Sequence, residues 1–67
     1  MGWKPELTDG SGWGRNALVF DTEQEAHDSA RETFNRWLAA KEYRAVEVDE
    51  PATHYWDEER GNVRKGE

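Results

Sequence analysis

The sequence predicts an α+β fold, in which a small antiparallel β-sheet packs one amphipathic helix on one face, in the order β-β-α-β-β. Three observations predict it. One segment, about 23–41, carries apolar residues at helical spacing, and clear capping signals mark its start. Short apolar or alternating segments bounded by Gly, Pro and Asp lie on both sides of it. The length of 67 residues fits a single domain, 1–67.

The first expected strand runs from Trp3 to Leu7. Pro5 restricts it to an edge of the sheet, because proline has no N–H to donate to a neighbouring strand. The glycine-rich segment 8–14 that follows predicts a hairpin loop with glycines at positive φ, and it lacks the residues of a phosphate-binding loop. The apolar run 17–20 is then the second strand, since four apolar residues are too few for a helix.

The helix has the clearest signals in the chain. Thr22 is the expected N-cap, and Glu25, three residues later, completes a capping box. From about Glu23 to Lys41 the apolar residues recur at helical spacing. The stripe that should face the sheet, with Trp37 at its centre, consists of Ala26, Ala30, Phe34, Trp37 and Leu38. The opposite face carries Glu25, Asp28, Glu32 and Asn35.

The first strand after the helix is expected at residues 43–48, which alternate in polarity. The alternation places Val46 and Val48 in the core. It places Ala45, Glu47 and the following Asp49 in water.

A second alternating segment, 53–56, predicts another strand. The turn-like residues 57–62 connect it to a short return through Val63. The last residues, about 64–67, are expected to form a frayed tail.

The composition excludes several classes of protein. The chain has no Cys, which removes a disulfide framework, a thiolate nucleophile and a cysteine-built zinc site, and favours a reducing cytoplasm. No apolar run exceeds four residues, so neither a membrane span nor the apolar core of a signal peptide is predicted.

Negative charge is concentrated in the central part of the chain. Of the 15 Asp and Glu residues, 12 lie between Asp21 and Glu59, where there are only four bases, which gives that segment a net charge of 4 − 12 = −8. A partner attracted over long range should therefore present a basic surface. Direct binding of nucleic acid is disfavoured by the same charge.

An enzyme or a metal site is not predicted. The two histidines, His27 on the helix and His54 on a late strand, lack the convergent ligands that a metal or catalytic site needs. The serines, Ser11 and Ser29, lie outside a Gly-x-Ser-x-Gly elbow. We therefore expect a non-enzymatic protein with no catalytic residue, no cofactor and no metal.

The acidic surface allows two interpretations. It is either a solvated face that keeps a small protein soluble, or a mimic of the nucleic-acid backbone, whose phosphates lie about 1.7 Å apart along the duplex axis. In the second interpretation Trp13 and Trp56, which lie next to turns, add contact area. Packing of these two side chains over the sheet is an equally good explanation of them. The candidate partner-binding residues are Glu25, Asp28, Glu32, Glu47, Asp49, Glu50, Asp57, Glu58, Glu59, Trp13 and Trp56.

Several short motifs together resemble a known group of proteins. They are Gly12-Trp13 in a glycine-rich turn, Leu18-x-Phe20-x-Thr22-x-x-Glu25-Ala26, Arg36-Trp37, Tyr43-Arg44-x-Val46-Glu47, Pro51 and Tyr55-Trp56-Asp57. In these the chain is similar to very short, uncharacterised proteins encoded by bacteriophages and prophages. The motifs are structural and transfer no functional residue. The resemblance implies an inhibitor of host machinery, of which anti-CRISPR proteins are one kind.

Two functions follow as hypotheses. The first is a phage-encoded acidic binding protein, a monomer or homodimer, that inhibits a host nucleic-acid-handling complex such as a CRISPR effector by occupying its basic surface. The alternative is a phage structural or accessory protein that binds another protein through an aromatic surface containing Trp13 and Trp56. Neither binds nucleic acid directly, and neither involves a membrane.

Overall fold

The computed structural model describes residues 2–66, which form one helix and five strands. The elements are β1 (Gly2–Thr8), β2 (Trp13–Arg15), α1 (Glu23–Arg36), β3 (Glu42–Val48), β4 (His54–Asp57) and β5 (Gly61–Arg64). The strands build two antiparallel sheets, one in the order β2-β1-β3 and one of β4 with β5. The predicted α+β class is confirmed, with two small sheets in place of one.

β1 is the central strand of the larger sheet, so the prediction that Pro5 confines it to an edge is wrong. Trp3 exchanges two backbone hydrogen bonds of 2.8 Å with Phe20, on the side of β1 away from β3. Because backbone direction alternates along a strand, the nitrogen of Pro5 points to that same side. There it faces the gap between the Phe20 bridge and β2, whose pairing begins at Glu6. Pro5 therefore removes no hydrogen bond from the sheet.

The glycine-rich segment forms the predicted hairpin loop between β1 and β2. Gly10 and Gly12 have φ of 102° and 145°, a region that side chains with a Cβ rarely adopt. The segment 17–20 is not the predicted strand, since its one bridge is Phe20 to Trp3. It is a connection that becomes buried at its end instead: Val19 is 2% exposed, and its carbonyl oxygen accepts the N–H groups of residues 53 and 54.

The helix begins as predicted and ends earlier. Thr22 is the N-cap, and its hydroxyl oxygen accepts the backbone N–H of Glu25 at 3.2 Å. α1 ends at Arg36, five residues before the expected Lys41, although the residues between are good helix formers. The chain must reverse there for β3 to reach β1, and the N–H of Lys41 already donates to the Thr8 carbonyl oxygen at 2.7 Å. Pairing with β1 overrides the local propensity.

The early helix end removes two residues from the expected apolar stripe. Ala26 and Ala30 of α1 are fully buried, as predicted. Trp37 lies at the helix C-cap with 41% of its surface exposed, so it is not at the centre of the interface. Leu38 is 100% exposed. With the helix ended, neither residue continues the stripe.

β3 forms as predicted, but its faces are reversed relative to the helix. The ring of Tyr43 lies 5.1 Å from that of His27 and 4.9 Å from that of Phe34, so the odd-numbered residues of β3 face α1. Val46 and Val48 are half-buried on the other face, and Ala45 is half-buried beside the helix. Register with β1 decides this, because the buried Pro5 and Leu7 stand opposite Ala45 and Tyr43.

The last two strands form the predicted hairpin and pack along α1. Gly61 begins β5 with φ of 79°, and a Cβ built on it would lie 3.6 Å from a Glu32 carboxylate oxygen. The expected fraying from residue 64 is corrected: Arg64 belongs to β5, and the N–H of Lys65 donates to the Thr53 carbonyl oxygen at 2.9 Å. Glu67, also part of that expected tail, lies outside the described residues.

Candidate partner-binding surface

The three carboxylates predicted on the outer face of the helix are half-buried and take part in the fold. Glu25 accepts the Thr22 hydroxyl at 3.0 Å and the backbone N–H of Trp56 at 3.1 Å, which fastens β4 to the helix. Asp28 accepts the Gln24 side-chain amide at 2.9 Å. Glu32 pairs with Arg36 at 3.2 Å, as the sequence spacing suggests. These carboxylates already have hydrogen-bond partners within the chain.

Asp57 is likewise engaged, because it organises the β4–β5 turn. Its Oδ1 accepts the backbone N–H of Arg60 at 3.0 Å and that of Glu59 at 2.8 Å. These hydrogen bonds to the charged form, with a smaller contribution from the Arg60 guanidinium, hold the pKa of the Asp57 carboxyl below its ordinary value of 3.8.

We expect this pKa shift to make the turn sensitive to acid. A lowered pKa means that the charged carboxylate stabilises the folded turn above the unfolded pKa, and this stabilisation is lost as pH falls through the folded pKa. In an NMR titration the Arg60 amide signal should move with a midpoint below pH 3.8. Asp57→Asn should abolish the transition, whereas Glu58→Gln, one residue away, should leave it. A midpoint at or above 3.8 contradicts the assignment.

The other five predicted carboxylates form what we call the free acidic set. They are exposed, and their side chains make no hydrogen bond or ion pair with any residue in the range 2–66. Three of them end or follow β3, and two lie on the β4–β5 turn. The set consists of Glu47, Asp49, Glu50, Glu58 and Glu59.

The basic residues do not neutralise this set. Six of the nine Lys and Arg side chains form ion pairs within the described chain: Arg15, Arg31, Arg36, Arg44, Arg60 and Lys65. A seventh, Lys4, is buried and donates to the Asn16 carbonyl oxygen at 2.7 Å. The six ion-paired bases use only five of the fifteen carboxylates, because Glu6 takes two. The surplus of carboxylates therefore remains on the surface.

The two tryptophans predicted to bind a partner do not form one surface. Trp13 is 40% exposed on the sheet face opposite α1, where the Arg44 guanidinium carbon lies 3.8 Å from its ring centroid. Trp56 is half-buried in β4, whose backbone is bonded to Glu25 of the helix. The helix and the three-stranded sheet separate the two side chains.

A buried charge cluster lies on the face of Trp13, and the sequence analysis missed it. The Glu6 side chain is 1% exposed and pairs with Arg15 of β2 and with Arg44 of β3, whose Nε lies 2.9 Å from Oε1. The available signal was the alternation along β1, which puts Glu6 on one face with Lys4. The three side chains can be recognised as a cluster only when β1 is placed between β2 and β3.

A cleft of about 520 Å³ separates α1 from the outer side of β3, and His27 lines it together with Tyr43. His27 thus lies between the helix and the sheet, with its ring 5.1 Å from that of Tyr43. His54 lies near Phe20, with ring centroids 6.4 Å apart, and its Nδ1 is 2.7 Å from the Thr53 hydroxyl. Within residues 2–66 no three His, Asp or Glu side chains gather as a metal-binding group.

The remaining findings concern the chain as a whole. No helix in the described part of the chain has the length and apolar character needed to cross a membrane. Comparison of the chain with family models, with curated proteins and with solved structures finds no match.

Proposed function

We propose that this chain is a non-enzymatic acidic binding protein that occupies the basic, nucleic-acid-binding surface of a host complex such as a CRISPR effector, and thereby inhibits it. In keeping with the resemblance described above, we propose a phage origin and action in the host cytoplasm. The observation that supports this is the division of the charges: most bases are used in ion pairs within the chain, while the free acidic set is exposed without a partner.

The physical argument is electrostatic. A carboxylate that is not paired within its own chain can pair with a partner's Lys or Arg without first breaking an internal contact. Several such groups on one scaffold act together, as phosphates do along a nucleic acid. Electrostatic complementarity of this kind raises the association rate and selects partners by sign of charge.

The test measures how strongly the chain inhibits the binding of target DNA to each of a panel of purified CRISPR effector complexes. The unchanged chain is compared with a variant in which the free acidic set is replaced by amides. The variant Glu47→Gln, Asp49→Asn, Glu50→Gln, Glu58→Gln, Glu59→Gln should inhibit at least about tenfold less well, since each lost pair costs up to about 1 kcal/mol. Inhibition by the unchanged chain should weaken as salt rises, because exposed charges are screened.

The matched comparison uses pairs of equal charge change. Glu58→Gln with Glu59→Gln removes two members of the set. Glu23→Gln with Glu42→Gln removes two exposed carboxylates outside it and should change inhibition by no more than about twofold. Inhibition that survives the five-amide variant, or that is indifferent to salt, refutes the proposal.

One observation favours the alternative, a phage structural or accessory protein with an aromatic contact surface. Trp13, exposed and stacked on Arg44, combines the two residue types that most often dominate protein interfaces. In that case Trp13→Ala should abolish co-purification with virion components while the five-amide variant retains it. The acidic-surface proposal expects Trp13→Ala to inhibit normally.

A further inference from the structure

β3 is an outer strand of the three-stranded sheet, because the strand order is β2-β1-β3. It pairs with β1 over seven residues without interruption, from Gly2 opposite Val48 to Thr8 opposite Glu42. Its other side pairs with no strand in the part of the chain that the structure describes. An unpaired edge of this length is a template for another strand.

The direction of the backbone groups identifies which N–H and C=O groups this edge presents to a partner strand. Trp3 binds Phe20 through both its N–H and its C=O, so both point away from β3. Since the direction alternates along a strand, the even-numbered residues of β1 and β3 bind each other. The outward N–H and C=O groups belong to Tyr43, Ala45 and Glu47, and none of them has a hydrogen-bond partner within residues 2–66.

The cleft between α1 and β3 runs beside this edge. Glu23 and Arg31, which are two turns apart on the helix, line its wall, while Ala45 lines it from β3. The helix wall therefore carries opposite charges at its two ends, and Arg31 also pairs with Asp28 of the same helix at 3.7 Å. A strand added to β3 would lie next to this wall.

We propose that a second copy of the chain pairs with this edge, β3 against β3 in antiparallel direction, about a two-fold axis at Ala45. In this register Ala45 meets Ala45 of the second copy, and Tyr43 meets its Glu47. Every outward N–H and C=O group then gains a partner. The small side chain of alanine lies at the axis, where two identical side chains must share space.

The charges and the spacing favour a second copy as the occupant. A two-fold axis makes the clefts of the two copies run in opposite directions. The end of one cleft that carries Glu23 therefore lies near the end of the other cleft that carries Arg31. α1 packs on both β1 and β3, so the two helices would lie two strand spacings apart, about 10 Å. Packed helices are separated by about 8–10 Å. The face is therefore complementary to itself in hydrogen bonding, charge and shape.

The test is sedimentation velocity of the full chain at concentrations up to about 1 mM. The unchanged chain, of 7.8 kDa, should shift to twice that mass as concentration rises. Arg31→Glu places like charges at both ends of the joined cleft and should raise the dimer dissociation constant about tenfold. The double variant Glu23→Arg, Arg31→Glu restores opposite charges and should recover dimerisation to within about threefold.

Arg36→Glu is the matched control, since it breaks an ion pair on the same helix, with Glu32, away from the cleft. It should leave the dissociation constant unchanged. Ala45→Lys, which puts two charges at the axis, should abolish the dimer, and thermal unfolding at low concentration checks that it still folds. A chain that is monomeric throughout, an Arg36→Glu effect equal to that of Arg31→Glu, or a failure of the double variant to recover overturns the proposal. None of these outcomes depends on the proposed inhibitory function.

Discussion

Phe20→Ala should leave the chain largely unfolded at 25 °C. Phe20 is 0% exposed and is the largest buried hydrophobic side chain in residues 2–66, where the others are Leu7, Val19, Ala26 and Ala30. Truncating a buried phenylalanine costs about 3–5 kcal/mol through lost transfer energy and the cavity left behind. A chain of this size has a total stability on the order of 3–10 kcal/mol. The loss is therefore comparable with the whole free energy of unfolding.

Circular dichroism and the dispersion of amide signals in proton NMR measure this effect. Leu38→Ala is the matched control, because Leu38 is 100% exposed and its truncation should change the free energy of unfolding by less than about 0.5 kcal/mol. A well-dispersed Phe20→Ala spectrum with a melting temperature close to that of the unchanged chain would show that the core does not centre on Phe20.

Glu6→Gln should lower the free energy of unfolding by about 2–3 kcal/mol. The variant keeps the shape of the side chain and leaves two guanidinium groups beside a buried neutral amide. Breaking a buried ion pair by removing one partner costs about 3–5 kcal/mol. The value expected here is lower because the side chains of Arg15 and Arg44 are 53% and 46% exposed and regain water.

Urea unfolding measures the change in the free energy of unfolding. In a separate thermal unfolding experiment the melting temperature should fall by about 10–20 °C. Glu42→Gln is the control: Glu42 is exposed and has no ion pair within the described residues. A loss below about 1 kcal/mol for Glu6→Gln would mean that the cluster is solvated enough to be dispensable. The tryptophan fluorescence of the chain should also change, because Trp13 stacks on Arg44.

The position of Glu6 shows what the sequence could not supply. A polar residue next to Pro5 in a short strand is typical of an edge, and nothing local indicates that β2 and β3 flank it. Arg44 is 38 residues away in the chain from the carboxylate it binds. Only the strand order, which results from long-range pairing, brings the two arginines to one carboxylate.

The same limit applies to the candidate site. The sequence predicts its members from the density of carboxylates, and it treats all nine as equivalent. The structure divides them: Glu25 and Asp57, for example, bind backbone N–H groups, whereas Glu50 and Glu58 have no partner within residues 2–66. For Glu25, the contact with the Trp56 N–H depends on where the β4–β5 hairpin lies against α1, which no local pattern specifies. The contacts of Asp28, Glu32 and Asp57, in contrast, join residues two to four positions apart in the chain.

By itself the sequence determined the elements whose signals lie within a few residues. The start of α1 at Thr22, β3 and the β4–β5 hairpin follow from capping, alternation and turn residues, and the excess of acid follows from composition. Tertiary structure decided that β1 is central, that α1 stops at Arg36 and that Trp37 is exposed. The physical reason is that strand order and helix length are set by hydrogen bonds and burial between distant segments, which outweigh local propensities of a few tenths of a kcal/mol per residue.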